Sequence, residues 1–237
     1  MKRLLISSFC SLLFTGVFGQ SIIPRAGVTI SNASFDPPPT LGDLTSVTGF
    51  TVGVGYELPL TGIIMLQPEI NFIQKGYKTE FSETTSAYEQ TNSHQIKLNY
   101  IEIPIQAKIK LGVKATKFYF SAGPSIGFAL SGKYKNEGTV DYFDSTPTNN
   151  YENETDVKFE AVKPVVEDYG LYYIPHRIDV GVQFGAGVEL FGKVIVDVRY
   201  GLGLTELYGD EEHLNVDVDN VKNRVLQLSV GVPLKLH

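Results

Sequence analysis

The chain is poor in the residues that staple small secreted folds and in those that grip nucleic acid. Of 237 residues one is cysteine, Cys10, and none is tryptophan. A lone cysteine excludes a disulfide scaffold. Charged residues make up only 19%, and Asp and Glu outnumber Lys and Arg by 26 to 20. That balance leaves no material for a basic nucleic-acid surface and too little charge for a charge-rich disordered chain or a coiled coil. Beyond Gln20 no apolar run reaches the ~18 residues of a membrane-spanning helix. What the chain has in excess is glycine, 23 residues, together with 14 Phe and 13 Tyr.

The first residues read as a removable leader. Lys2 and Arg3 precede an uncharged apolar stretch from Leu4 to Phe18, and the small Val17 and Gly19 take the −3 and −1 positions before a cut at Gln20. This is the layout of a secretory signal peptide, and the stretch is shorter than the ~20 residues a spanning helix needs. The expected organisation is therefore residues 1–19 as signal peptide and 20–237 as one domain. Cys10 leaves with the leader, and the net charge of −6 becomes −8 once Lys2 and Arg3 are gone.

The rest alternates with period two. In Gly49–Leu60, Phe50, Val52, Val54, Tyr56, Leu58 and Leu60 fall on one face and Thr51, Gly53, Gly55 and Glu57 on the other. The same pattern fills Lys117–Ser131 and Arg177–Leu190. Runs this long exceed ordinary soluble strands, which average about 5–6 residues. Eight such strands are expected, at about 22–34, 49–60, 63–81, 94–111, 117–135, 175–191, 194–208 and 224–236. Short turns at Thr61-Gly62, Gly112–Thr116 and Gly192-Lys193 alternate with long connections at 35–48, 82–93, 136–174 and 209–223. An even number of long antiparallel strands, short turns at one rim and long loops at the other describe an outer-membrane β-barrel.

The polar face decides between membrane and soluble barrels. It is mostly Gly, Ser, Thr and Ala, which suits the crowded lumen of a narrow barrel. The apolar face then meets lipid. Eleven charges fall on the inward face: Arg25, Glu57, Glu69, Lys75, Glu102, Lys108, Lys110, Asp179, Glu189, Asp197 and Arg199. Their near balance predicts a salt-bridged plug. Phe118, Phe120 and Phe191 are expected as a girdle at the short-turn rim, and Phe50, Tyr77, Tyr134, Tyr172, Tyr173 and Tyr208 as one at the long-loop rim.

The long loops hold 18 acids against three lysines. A solvated charged surface, or one that binds divalent cations or a partner, is expected there. No constellation of catalytic, cofactor-binding or metal-ligating residues stands out. Asn215, Asp217 and Asp219 open like a calcium loop, but Asn220 replaces its glycine and Leu226 its final Glu. His94, His176 and His213 have no metal-ligand spacing. Ser93 and His94 form the lone adjacent Ser-His pair, and neighbouring strand residues point to opposite faces. The glycine pairs Gly185/Gly187 and Gly201/Gly203 lie inside strands and are not nucleotide-binding fingerprints.

Leu98-Asn-Tyr-Ile-Glu-Ile-Pro-Ile105 closely resembles a strand of the Bacteroidetes outer-membrane barrel proteins of the PorT-like porin-family group. Phe118–Gly127, Phe184–Leu190, Val198–Thr205 and Asn223–Leu228 are similar to further strands of that group. The resemblance covers nearly the whole chain after the leader and implies an outer-membrane location, with Glu102 and Pro104 facing inward. The terminal aromatic usual in such barrels is replaced by Leu234-Lys-Leu-His237.

The resulting expectation is an all-β, eight-stranded antiparallel transmembrane barrel with short periplasmic turns, a plugged lumen and no enzymatic activity. It acts as a structural or interaction protein of the envelope through its acidic outer loops. Its expected surroundings are outer-membrane lipid and lipopolysaccharide, with divalent cations or an envelope protein as candidate partners at the outer loops, no nucleic acid, no cofactor, and a monomeric state. A small transport channel and a lipid A-modifying enzyme are the alternatives.

Overall fold

A computed structural model describes residues 19–35, 42–113, 115–144, 147–160, 172–208 and 221–236. Residues 1–18 with Cys10, His213 and the carboxylates of 210–219 lie outside these residues. Eleven strands occur among them: β1 (Ser21–Ser34), β2 (Asp43–Pro59), β3 (Ile64–Thr84), β4 (Tyr88–Val113), β5 (Thr116–Tyr142), β6 (Asn149–Lys158), β7 (Tyr172–Tyr173), β8 (Ile178–Leu190), β9 (Val194–Gly203), β10 (Lys222–Gly231) and β11 (Leu234–Lys235). Eight close a ring in the order β1-β2-β3-β4-β5-β8-β9-β10, sealed where β10 pairs with β1, and every step is antiparallel. The expected eight strands are these eight. A closed ring leaves no sheet edge within the wall.

Two expected loops are strand instead. The connection expected at 82–93 is a hairpin: β3 and β4 stay paired out to Thr84 and Glu89, and Thr85 turns the chain by bonding Tyr88. Likewise β5 runs on to Tyr142 and returns as β6 inside the connection expected at 136–174. Polar residues fill both faces of these segments, so no apolar period marks them. Pairing continues because Tyr, Thr and Val still fit a pleated surface. The four strands β3, β4, β5 and β6 together rise as a wall from one sector of the rim. The strand expected at 224–236 breaks after Gly231, because Pro233 has no N–H to give a ladder, and resumes as β11 against the start of β1.

The alternation sorts side chains as expected. On β5, Phe118 and Phe120 are 62% and 68% exposed, while Tyr119 between them is buried. On β4 the outward apolar positions run from Leu111 through Ile109, Ile105 and Ile103 to Ile101. Ten steps at ~3.4 Å, tilted by about 40°, give a band roughly 26 Å tall, close to the ~25 Å apolar belt of outer-membrane barrels. A polar chain ends the band: Gln74 Nε2 donates to Asn99 Oδ1 (3.0 Å), and Asn99 Nδ2 to Ser131 Oγ (2.9 Å).

The expected outer aromatic girdle is only partly there. Phe50 faces outward, with its ring stacked near Phe72 at 5.5 Å. Tyr77 and Tyr208 are buried inside the barrel mouth, and Tyr134 and Tyr172 pack against the same cluster. The reason is strand parity: Tyr77 lies two residues beyond the inward Lys75 and must share its face.

At the other rim, Phe191 and Gly192 connect β8 to β9 with φ of 55° and 62°, and Lys193 N–H bonds Leu190 C=O at 2.9 Å. Positive φ at both central residues is the type I′ hairpin, whose twist matches that of the strands. Gly192 accepts this readily, whereas Phe191 carries a bulky side chain there.

Candidate functional site

All eleven inward charges are buried, and each has an opposite charge within ion-pair distance. They form three layers. Nearest the short turns, Lys110 Nζ lies 2.6 Å from Glu57 and 2.8 Å from Glu189. In the middle layer Arg199 grips Glu69 through both oxygens, at 2.8 and 2.9 Å. Arg25 bonds the same Glu69 at 2.9 Å and Asp197 at 2.6 Å. Tyr119 and Ser229 also donate to Asp197, each at 2.5 Å. Lys108 links the two lower layers: it donates to Gln67 at 2.5 Å, stands 3.7 Å from Glu57, and lies 4.3 Å above the Tyr119 ring. In the third layer Lys75 joins Glu102 (2.6 Å) and Asp179 (3.0 Å), which Gln183 and Asn223 bond in turn.

Glycine makes room for this. A Cβ at Gly187 would stand 2.5 Å from the Tyr119 ring, and one at Gly185 would stand 2.9 Å from the Arg199 side chain. Both glycines lie on β8 directly opposite these residues in register, so each large side chain leaves its strand over bare neighbouring backbone. Beside Lys75, Glu102, Asp179 and Gln183 remains a cavity of about 10 Å³, the room of about one water molecule. Buried charges left unpaired in low dielectric are costly, so the paired network holds together as a unit.

Above the charges sits a second closure that the sequence reading did not foresee. Ile73, Tyr77, Ile96, Leu98, Tyr100, Phe159, Ile174, Leu207, Tyr208 and Val221 form one buried apolar cluster across the outer mouth. Tyr208 Oη lies 2.6 Å from both Tyr77 Oη and Tyr172 Oη. Tyr172 stacks on Tyr134 at 4.3 Å. Burial raises the Tyr172 phenol to about 12, so it stays a neutral donor. His94 accepts or donates through Nδ1 to Tyr134 Oη at 2.7 Å, and burial lowers its pKa from the usual value. Phe159, Ile174 and Val221 come from segments expected as loop, where no period points to a common face, and Leu207 closes the strand expected at 194–208.

The outer wall carries part of the acidity that the sequence assigns to loops, and four of its carboxylates are paired there. Lys133 Nζ lies 2.7 Å from Glu154, and Lys135 lies 2.9 Å from both Glu137 and Glu152. These contacts raise both lysines and lower Glu154. Its outward face bends into a polar cleft of about 560 Å³, lined by Lys78, Glu80, Ser93, Glu137, Asn150 and Glu152 among others. Ser93 opens on this cleft, whereas its neighbour His94 turns inward to Tyr134. The two therefore do not meet. Among the described residues no group of His, Cys, Asp and Glu has the geometry to hold a metal ion.

A family model described as outer membrane protein beta-barrel domain matches residues 19–209. Among solved structures the chain is similar to Ail, the attachment invasion locus protein of Yersinia pestis, at 14% identity, covering 92% of this chain and 100% of that one with a TM-score of 0.38. It is similar to Neisserial surface protein A at 17% identity, 92% and 99% coverage, and a TM-score of 0.38. It is also similar to the outer membrane protein OprG of Pseudomonas aeruginosa at 9% identity, 92% and 97% coverage, and a TM-score of 0.39. No curated protein matches the chain.

Proposed function

The chain belongs to the outer membrane protein β-barrel domain family, and we propose that it is a non-conducting envelope protein whose work is done at its outer wall. The observation behind this reading is the double closure of the lumen. Three layers of paired charge lie beneath an apolar cap, with room for about one water molecule beside the Lys75 layer. An ion crossing would have to separate several buried ion pairs and then enter hydrocarbon-like surroundings, each step costly. With the lumen committed to structure, recognition among the described residues falls to the wall of β3 to β6. In our reading the Leu98–Ile105 run puts the chain in the PorT-like group of Bacteroidetes barrels, as a structural or interaction protein rather than an enzyme.

The test is electrical. Pure protein in a planar lipid bilayer is expected to give no steady unitary current. Stable, large single-channel steps would overturn the reading in favour of a transport pore.

A further inference from the structure

Just above the apolar band, β4 and β5 place two lysines against each other. Lys97 and Lys133 are directly opposed in register, one alternation step beyond Asn99 and Ser131, which close the band. Both project from the outward face. Like charges directly opposite on an antiparallel pair are destabilising. Lys133 is relieved by Glu154 at 2.7 Å and Asp156 at 3.7 Å. Lys97 has no carboxylate within ion-pair distance among the described residues, and its opposite neighbour on β3 is Gly76, which has no side chain. The result is an ammonium with no carboxylate partner among the described residues, beside a strand position that carries no side chain. Along the same edge Lys158 is exposed, and Arg177 stands 6.0 Å from the outward-facing ring of Phe128.

We propose that Lys97 and Lys133 bind the phosphate of a phosphorylated glycolipid in the outer leaflet, the chemical class of lipid A. Three features choose that occupant over a soluble anion. The lysines stand at the hydrocarbon edge, where a phosphate on an acylated sugar must lie. The apolar band directly below them, Ile101 and Ile103 on β4 and Phe128 on β5, receives the acyl chains. Between lies the Gln74–Asn99–Ser131 chain, whose amides suit the acyl-linkage carbonyls. Bound phosphate gives Lys97 the counter-charge it lacks among the described residues and shares Lys133 with Glu154, through charge-assisted hydrogen bonds. The lipid is thereby fixed in orientation beneath the cleft of the outer wall.

The experiment is native mass spectrometry of the full chain in detergent with three probes: bisphosphoryl lipid A, the same lipid freed of phosphate, and inorganic phosphate. Bisphosphoryl lipid A is expected to stay bound, with removal of its phosphates weakening binding at least tenfold and inorganic phosphate alone not retained. The double variant K97Q/K133Q is expected to bind at least tenfold more weakly, while K97R/K133R binds as the native chain does. Both variants change side chains on the aqueous outer face, and heat-modifiable migration on gels checks that the barrel is folded. Equal binding of phosphorylated and dephosphorylated lipid, or unchanged binding by K97Q/K133Q, would overturn the proposal. Retention of inorganic phosphate alone would overturn it in favour of a soluble anion.

Discussion

Arg25 and Arg199, on strands β1 and β9 that are not neighbours in the ring, meet on one carboxylate, Glu69 of β3. Three separate staves of the barrel are thus tied through a single side chain in the middle of the lumen. Removing it leaves two guanidinium groups buried with only Asp197 between them. Breaking one partner of a buried ion pair costs about 3–5 kcal/mol. Glu69→Leu is expected to lower stability by at least that much, read from urea unfolding of the protein in lipid vesicles. A loss below ~1 kcal/mol would mean that water already screens the network.

The two closures act in series, so opening one leaves the other. Tyr208→Ala removes a phenol that bonds both Tyr77 and Tyr172 and loosens the apolar cap. It is expected to leave the planar-bilayer recording silent, because the Lys75–Glu102–Asp179 layer beneath is untouched. Steady conductance from this single variant would place the whole barrier in the cap.

Depth in the bilayer decides what the outward face tolerates. Ile105 lies in the middle of the band on β4 and is exposed on its outward side. Ile105→Arg is expected to cost about 2–4 kcal/mol in vesicles, and Asn99→Arg, at the band's upper edge, about 0–1 kcal/mol. Equal costs at the two positions would displace the band from where the Gln74–Asn99–Ser131 chain ends it.

Acid weakens the mouth through His94. Burial lowers its pKa, so in the neutral-to-acid range the unfolded chain takes up its proton before the folded one does. The stability tied to neutral His94 is present above the usual histidine pKa of ~6.5 and is lost as pH falls below it. Glu154, lowered by Lys133, acts in the same direction further into the acid. The melting midpoint of the wall, followed by tyrosine fluorescence, is expected to drop between pH 7.5 and 5.5. His94→Gln is expected to flatten that drop, and an unchanged slope would remove His94 from the account.

The barrel was readable because period two and parity do not depend on distant contacts. Once Phe118 is assigned outward, Tyr119 is inward, and the same rule assigns all eleven lumen charges. Their pairing was readable only as a requirement, since which carboxylate Arg25 meets depends on ring closure and stagger. Tyr77 was misplaced by weighing its type, an aromatic near a rim, above its parity with Lys75. The wall escaped notice because Asn149–Lys158 is polar on both faces, and periodicity in apolar residues has nothing to register there. The basic pair required register, because Lys97 and Lys133 are 36 residues apart in the chain and become neighbours only through the β4–β5 pairing.

The wall of β3 to β6 continues the transmembrane strands without a hinge: β4 is one strand of 26 residues and β5 one of 27. A pull on its tip therefore loads β3, β4 and β5, which run on into the bilayer-embedded cylinder past one bulge in the β4–β5 ladder at Asn99/Tyr100. Force felt outside the cell is passed along the strands to one side of the cylinder, which gives a nearly round protein a mechanical front and back.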